Sequence, residues 1–286
     1  MSERPLHLSQ IDGVTPARKD AQIVVAVIRD VISRTKVKGS ERLAEFKRMR
    51  VETGKGGVVI SNHLAHPDGP IIKKFMNKNG IEHLVAIAAK GLEANPFTAF
   101  LSRSVDKISV IRDYYSEAYG SSPDNIDDLD ELGLIQWKKR VKSSIKSVVE
   151  SGNDLLVFPE TTRSRESKMK KFKKGSRFYF LDPDQAIQPL SISRTEIILP
   201  PHTILPRRIR GKVNLEVIEP FIVWQRREEL GYQPFEAHSE AENEQVALAM
   251  AHHTALEIAD RLPSNYRGAY STVTHAEIRE EFAVHS

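Results

Sequence analysis

Short apolar runs separated by helical stretches dominate the hydrophobic pattern of this 286-residue chain. The run Val58-Val59-Ile60 follows two glycines and is fully apolar, which is typical of a strand buried on both faces of a sheet. Similar runs predict strands over residues 84–89, 107–112, 154–158, 186–193 and 213–218. Because strands alternate with helical segments, the pattern predicts an α/β fold with a single central mixed β-sheet flanked by helices.

Apolar residues at helical spacing predict the helices. Residues 20–50 carry an apolar stripe that is interrupted at Lys38-Gly39-Ser40, which favours an N-terminal pair of helices. Further helices are predicted over residues 70–80, 137–151 and 240–262. The last of these predicts a C-terminal helix rich in alanine.

Three parts follow from this order of elements. They are an N-terminal helical segment (1–50), a catalytic domain (51–225) and a C-terminal helical extension (226–286). We interpret the acidic stretch 114–136 as a surface insertion rather than a lid. No stretch approaches the roughly 20 apolar residues of a spanning helix, so the chain is expected to be cytoplasmic, either free or peripheral on the inner face of the membrane.

Composition adds two constraints. The chain has no cysteine, which excludes a disulfide, a thiolate metal site and a cysteine nucleophile. Its formal net charge is only +4, but residues 163–177 contain eight Lys or Arg and one acid, Glu166. This basic run predicts a surface for an anionic partner such as membrane lipid, with a plain solvated face as the alternative. Because few aromatic residues are interleaved, nucleic acid is not the expected partner.

The polar segment after the first buried strand carries the strongest chemical signal. His63 and Asp68 stand five positions apart there, at a strand end, where α/β sheets place ligands. A turn containing Pro67 would bring the Asp68 carboxylate back to the His63 ring. The carboxylate would then stabilise the imidazolium that forms when the other ring nitrogen takes a proton from a hydroxyl. The alternative is an ordinary loop histidine beside a helix-capping acid.

A second charged cluster, Phe158-Pro159-Glu160-Thr161-Thr162-Arg163-Ser164, follows the apolar run 154–157. An exposed Glu near an Arg is by default an ordinary surface pair. Its position at another strand end predicts that it lies beside the His63 loop.

Together these blocks resemble the glycerol-3-phosphate and lysophosphatidate acyltransferases of phospholipid synthesis. Their Asn-His-x4-Asp pattern is matched by Asn62, His63 and Asp68, and their Phe-Pro-Glu-Gly-Thr-Arg-Ser pattern by the cluster 158–164, in which Thr161 replaces the glycine. A strand ending in Arg112, the segment Phe172-Lys173-Lys174-Gly175 and the run Ile187-Gln188-Pro189-Leu190 resemble the remaining blocks. The resemblance covers about residues 57–193.

The resemblance implies transfer of a fatty acyl group from acyl-CoA or acyl carrier protein to a hydroxyl of glycerol 3-phosphate or a lysophospholipid. It implies no cofactor beyond this co-substrate. His63 would be the general base and Asp68 its orienting partner. Arg112 and Arg163 would bind the acceptor's phosphate and Glu160 its hydroxyls, with Thr162 in the same motif, while Lys173 would help to hold an anionic substrate. Guanidinium groups suit phosphate because they bind its oxygens in pairs.

Two other classes of function stay open. A metal-dependent hydrolase would use His63, His66 and Asp68 as ligands, but the sequence offers no second cluster to complete such a site. A non-catalytic lipid-binding module would explain the basic run without explaining the His–Asp pair.

Overall fold

The structure is a computed structural model that describes residues 11–12, 14–15, 35–89, 105–110, 131–164, 166–198 and 212–282. The strands in this part of the chain are β1 (Val14–Thr15), β2 (Lys36–Lys38), β3 (Val58–Ser61), β4 (Leu84–Ala89), β5 (Asp106–Val110), β6 (Asp154–Val157), β7 (Ala186–Ser193), β8 (Asn214–Val217) and β9 (Phe221–Ile222). The helices are α1 (Arg42–Thr53), α2 (Asp68–Lys78), α3 (Glu131–Glu150), α4 (Val223–Glu229), α5 (Glu240–Asp260) and α6 (His275–Glu281).

The chain divides into two compact units. The first unit combines residues 1–33 with 69–156, and the second combines residues 34–68 with 157–286. In the first unit the strand order is β1-β5-β4-β6. Strand β4 pairs in parallel with β5 and β6, whereas β1 pairs antiparallel with β5.

Strand β7 is the centre of the second unit, and all eight of its residues are buried. It pairs in parallel with β3 and antiparallel with β8 and β9, and β2 pairs in parallel with β8. Helices α1 and α5 contact β7. Burial on all sides explains why most residues of β3 and β7 are apolar. The predicted α/β class with a mixed sheet and flanking helices is confirmed.

Phe46 of α1 shows how closely this helix approaches the strands. Its side chain is fully buried and lies against Gly57, the residue before β3. A Cβ atom at Gly57 would come within 2.2 Å of the Phe46 ring. Gly57 therefore leaves the space that lets Phe46 pack against the start of β3.

Two predicted helix boundaries are wrong. Residues 36–38, placed in the first helix of the N-terminal pair, form β2, because the Lys36 amide and its neighbours pair with the backbone around β8. Such long-range pairing overrides local helix preference. Helix α3 begins at Glu131 rather than Trp137, so the end of the predicted insertion is helical.

The other predicted elements are found within a few residues of their expected bounds. The second helix of the N-terminal pair is α1, while residues 20–34 of the first lie outside the described part. The C-terminal helix is α5, which begins with a capping box between Ser239 and Glu242. The domain boundaries at 50 and 225 stay predictions.

Candidate active site

Asn62 fixes the start of the loop that carries His63. Its side-chain amide donates to the carbonyl of Ile192 in β7 at 2.8 Å, and its Oδ1 accepts from the Ile192 amide at 2.8 Å. The side chain thus continues the β3–β7 pairing by one residue, although it is polar and fully buried. As a result, His63 leaves the sheet edge from a defined position.

The predicted pair of His63 and Asp68 is present. His63 Nδ1 lies 2.9 Å from Asp68 Oδ2. The same oxygen accepts from the amides of Leu64 at 2.7 Å and Ala65 at 2.9 Å. The Asp68 side chain is fully buried, whereas the His63 side chain keeps 16% of its surface exposed. The turn between the two residues is therefore folded around a single carboxylate oxygen.

Two contacts fix the His63 ring: stacking on Phe158 fixes its orientation, and the Asp68 carboxylate fixes its tautomer. It stacks on Phe158 with 4.3 Å between ring centroids and 23° between planes. Because a carboxylate only accepts hydrogen bonds, Nδ1 carries the proton toward Asp68. Nε2 is then the basic nitrogen, and it lies on the side of the ring away from Asp68. This is the arrangement that a general base requires.

Glu160 ties the two loops together. Its Oε1 accepts from the His63 amide at 2.7 Å, and its Oε2 accepts from the Lys170 amide at 2.7 Å. The His63 carbonyl in turn accepts from the Ser164 amide at 3.1 Å. Both backbone groups of His63 are therefore bound by the second loop. The sequence predicted that these loops are neighbours, and the contacts confirm it.

Burial changes the protonation of two groups here. It raises the pKa of Glu160 to about 8, against the opposing effect of the two amides that bind the carboxylate. Burial also lowers the pKa of His66 to about 3, with smaller contributions from the positive charge of Arg163 and from His63. His66 is therefore neutral at physiological pH and lies near Arg163.

Thr161 has an unusual backbone. Its φ of 61° lies in the left-handed region, which β-branched residues disfavour and glycine adopts freely. Thr161 replaces the glycine of the resembled motif, and the φ angle explains why that motif carries glycine. The side chain is exposed, so the substitution adds strain without filling the interior of the protein.

The predicted substrate-binding residues are placed unevenly. Arg163 is half-buried, and its carbonyl accepts from Lys170 Nζ at 3.1 Å, while Thr162 Oγ1 accepts from the same Nζ at 3.0 Å. Lys173 is exposed, and its amide donates to the Pro159 carbonyl at 3.0 Å. Arg112 lies outside the described residues. Glu160 has no exposed surface. Its predicted contact with acceptor hydroxyls stays a prediction. In the structure its carboxylate accepts from the amides of His63 and Lys170.

Acidic residues neutralise part of the basic run 163–177. Lys171 lies 3.0 Å from Glu281, Arg177 lies 2.9 Å from Glu244, and Lys168 lies 3.6 Å from Glu166. Lys173 and Lys174 are exposed beside them. The net charge available to an anionic surface is thus smaller than the sequence indicates.

The described residues also bear on a metal site and on a membrane span. In the described part of the chain, no group of three His, Asp or Glu residues is arranged to hold a metal ion. The metal-dependent hydrolase hypothesis thus gains no support from these residues. The same residues contain no helix that is long and apolar enough to cross a membrane.

Sequence reasoning missed the roles of Phe158 and Lys170. In the sequence Phe158 is only one residue of a motif, yet its ring stacks on the His63 ring. In the sequence Lys170 is one of the basic residues of the run 163–177, yet its amide donates to Glu160 and its ammonium group donates to Thr162 and Arg163. An aromatic residue at a strand end was a usable signal for the first role. No side-chain pattern signals the second, because a backbone amide carries it.

Comparisons with known proteins place this site in a wider group. The sequence model of a family described as Acyltransferase matches residues 34–193, more than half of the chain. One similar solved structure is the 1-acyl-sn-glycerophosphate (LPA) acyltransferase PlsC from Thermotoga maritima, with 20% identity and a TM-score of 0.43. That match covers 86% of this chain and 83% of the other. No curated protein matches the chain.

Proposed function

Because the chain belongs to the acyltransferase family, we propose that it transfers a fatty acyl group from a thioester donor to a hydroxyl of a phosphate-bearing glycerol lipid precursor. The donor is acyl-CoA or acyl carrier protein, and the acceptor is glycerol 3-phosphate or a lysophospholipid. The observation that carries the proposal is the 2.9 Å contact between His63 Nδ1 and the buried carboxylate of Asp68. It lies inside the segment that the family shares.

The proposed reaction is a direct transfer. His63 Nε2 removes the proton of the acceptor hydroxyl, and the oxygen attacks the thioester carbonyl. The new C–O bond forms as the C–S bond breaks, and the imidazolium returns its proton to the departing thiolate. Asp68 stabilises the imidazolium throughout. No protein nucleophile is needed, because the substrate supplies the hydroxyl.

The proposed recognition of the acceptor rests on cationic side chains. Arg163 and Arg112 bind the phosphate, and Lys173 adds a charge at the entrance. Support comes from the half-buried position of Arg163, where its charge contributes to the low pKa of His66. A partly buried guanidinium binds phosphate oxygens more strongly than a solvated one. We place the enzyme in the cytoplasm, with Lys173 and Lys174 toward an anionic membrane surface.

Thiol release tests the reaction. Long-chain acyl-CoA and acyl carrier protein are each offered with glycerol 3-phosphate and with 1-acyl-glycerol 3-phosphate, and the acylated product is identified by mass spectrometry. The expected result is acceptor-dependent release, which His63→Ala reduces by at least roughly 10³-fold because the general base is lost. Release without an acylated product would indicate hydrolysis and contradict the proposal.

His66→Ala is the matched control. His66 lies in the same turn and is a ligand in the metal-dependent alternative, but the hydrogen bonds of the Asp68 carboxylate go to His63, Leu64 and Ala65 and not to His66. Transfer requires that this variant keep its turnover within about tenfold of wild type and that a chelator leave the rate unchanged. A stable acyl-protein adduct trapped after rapid quenching would rule out direct transfer.

A further inference from the structure

A short C-terminal segment contacts the loop that carries Glu160. We name residues 266–270 the strap and residues 158–173 the Glu160 loop. The Met169 amide donates to the carbonyl of Tyr266 at 2.8 Å, and the Ala269 amide donates to the carbonyl of Met169 at 2.9 Å. The strap lies more than 70 residues beyond the matched family segment, which ends at residue 193. A part of the chain outside the shared domain thus binds a loop inside it.

The close approach depends on Gly268. Its φ is 52°, in the left-handed region that glycine tolerates best. A Cβ atom added there would come within 2.1 Å of the Met169 carbonyl oxygen. Any other residue at 268 would therefore push the strap away from the loop.

Tyr270 adds a side-chain contact at the other end of the strap. Its hydroxyl accepts from the Phe172 amide at 3.0 Å and lies 2.8 Å from Nδ1 of His252. Its ring meets the Phe172 ring edge to face, with 6.1 Å between centroids. Tyr270 is 3% exposed and His252 is 3% exposed. A buried hydroxyl with both a donor and an acceptor in place holds the Phe172 amide firmly.

These contacts surround the residue that matters for the site. Met169 and Phe172 flank Lys170, whose amide donates to Glu160 Oε2 at 2.7 Å. Glu160 Oε1 accepts from the amide of His63. The position of the His63 backbone thus depends on Glu160, that of Glu160 on Lys170, and that of Lys170 on the strap.

We propose that Tyr270 is a positioning residue, which keeps the Glu160 loop in the geometry that His63 needs for acyl transfer. The inference rests on the proposed function for its kinetic consequence, but its structural core does not. It assigns to the C-terminal extension a part in the reaction, although no residue of the strap touches the substrate.

Tyr270→Phe tests this role because it removes the hydroxyl and keeps the ring. Tyr232→Phe is the matched control: Tyr232 contacts the neighbouring histidine of α5, His253, at 3.2 Å, and its hydroxyl does not contact the Glu160 loop. The expected result is a kcat reduced roughly tenfold in Tyr270→Phe, since a small misplacement of a reacting group is costly. The KM values for donor and acceptor should stay within about twofold, because no substrate contact is lost. Tyr232→Phe should match wild type in kcat.

The His63 ring offers a readout that does not require turnover. In protein labelled with ¹³C at its histidine rings, the His63 signal is assigned by its loss in His63→Ala. That signal should move in Tyr270→Phe and in Gly268→Ala and keep its position in Tyr232→Phe. If wild type fails to transfer acyl groups but the signal moves as expected, the proposed function fails and the positioning role stands. A His63 signal that is unchanged in both strap variants, or equal effects of Tyr270→Phe and Tyr232→Phe, would overturn the role.

Discussion

Two regions of the second unit contain histidines in close polar contact, and they differ in what the histidine faces. His63 contacts a buried carboxylate and keeps part of its ring exposed. His253 contacts the Tyr232 hydroxyl and Nδ1 of His275 at 2.6 Å and is 1% exposed. Burial, followed by the repulsion of His275, lowers the pKa of His253 to about 3. The direct partner of the His63 ring is thus a carboxylate, which can stabilise an imidazolium, whereas the direct partners of His253 are a hydroxyl and another imidazole.

Strain separates the same two regions. Among the described residues, the non-glycine residues with a left-handed φ are Thr161, Ser167 and Arg194. Two of these, Thr161 and Ser167, follow Glu160 in the loop beside His63, and none of the three lies in α5 or α6. Such features are concentrated at functional sites. The comparison teaches that a close polar partner alone does not make a histidine a candidate base.

The largest expected effect comes from removing the charge of Asp68. In Asp68→Asn the amide oxygen can replace Oδ2 in the turn, but the imidazolium loses its counter-charge. We expect kcat to fall roughly 10³-fold, as for other His–Asp pairs. Steady-state thiol release measures it, with circular dichroism to show that the fold persists. A loss below about tenfold would mean that the buried carboxylate does not distinguish His63 from His253 as a candidate base.

Glu160→Gln should produce the next largest effect. The new amide group faces one of the two amides that Glu160 now accepts from, so we expect a loss of about 2 kcal/mol in the free energy of unfolding near pH 6. Because burial raises the pKa of Glu160 to about 8, the folded state binds a proton that the unfolded state releases above its ordinary pKa. Wild-type stability should therefore fall between about pH 5 and 9, and the variant should show a weaker fall. Urea unfolding at pH 5 and at pH 9 measures the fall in unfolding free energy for wild type and for the variant. An equal fall in both proteins would contradict the raised pKa of Glu160.

The histidine cluster of α5 should respond in the opposite direction. His253 and His252 have pKa values lowered to about 3 and about 4, with burial as the main cause in both. Between these values and the ordinary pKa of histidine, the unfolded state therefore binds protons and the folded state does not. Stability should fall as the pH drops from about 7 to about 3, and His253→Asn should make this fall shallower. The turnover of His253→Asn at pH 7 should equal that of wild type; a large loss of turnover would give the cluster a catalytic part.

The smallest expected effect comes from relief of the backbone strain at Thr161, in the loop beside His63. Thr161→Gly replaces a β-branched residue at φ 61° whose side chain is exposed. Relief of strain exceeds the entropy that glycine adds to the unfolded chain, so we expect a gain of about 1 kcal/mol in unfolding free energy. Differential scanning calorimetry measures the shift in Tm. A lower Tm would mean that the threonine side chain contributes contacts that outweigh the strain.

The buried strands and the long C-terminal helix were predictable from sequence because their signals are local. β3 begins with the apolar run Val58-Val59-Ile60, most residues of β7 are apolar, and α5 has a capping box at Ser239. The short strand β2 was not predictable, because three residues with two lysines acquire strand structure only by pairing with β8. Short edge elements depend on partners far away in the chain.

The candidate site divides in the same way. His63, Asp68 and the neighbourhood of the Glu160 loop followed from motif spacing and strand ends. The hydrogen bonds of Glu160 and the contacts of the strap were not predictable from the sequence. They are formed by the amides of Lys170 and Phe172 and by the carbonyl of Met169. Backbone groups are the same in every residue, so no side-chain pattern reports them.

The shared oxygen of Asp68 has a consequence for evolution and for engineering. One atom, Oδ2, both closes the turn from His63 to Ala65 and faces the reactive ring. Selection for a well-folded chain and selection for turnover therefore act on the same contact. A mutational library screened only for expression would retain aspartate or asparagine at this position, because the asparagine oxygen can also close the turn. Only an assay of turnover would separate the two residues.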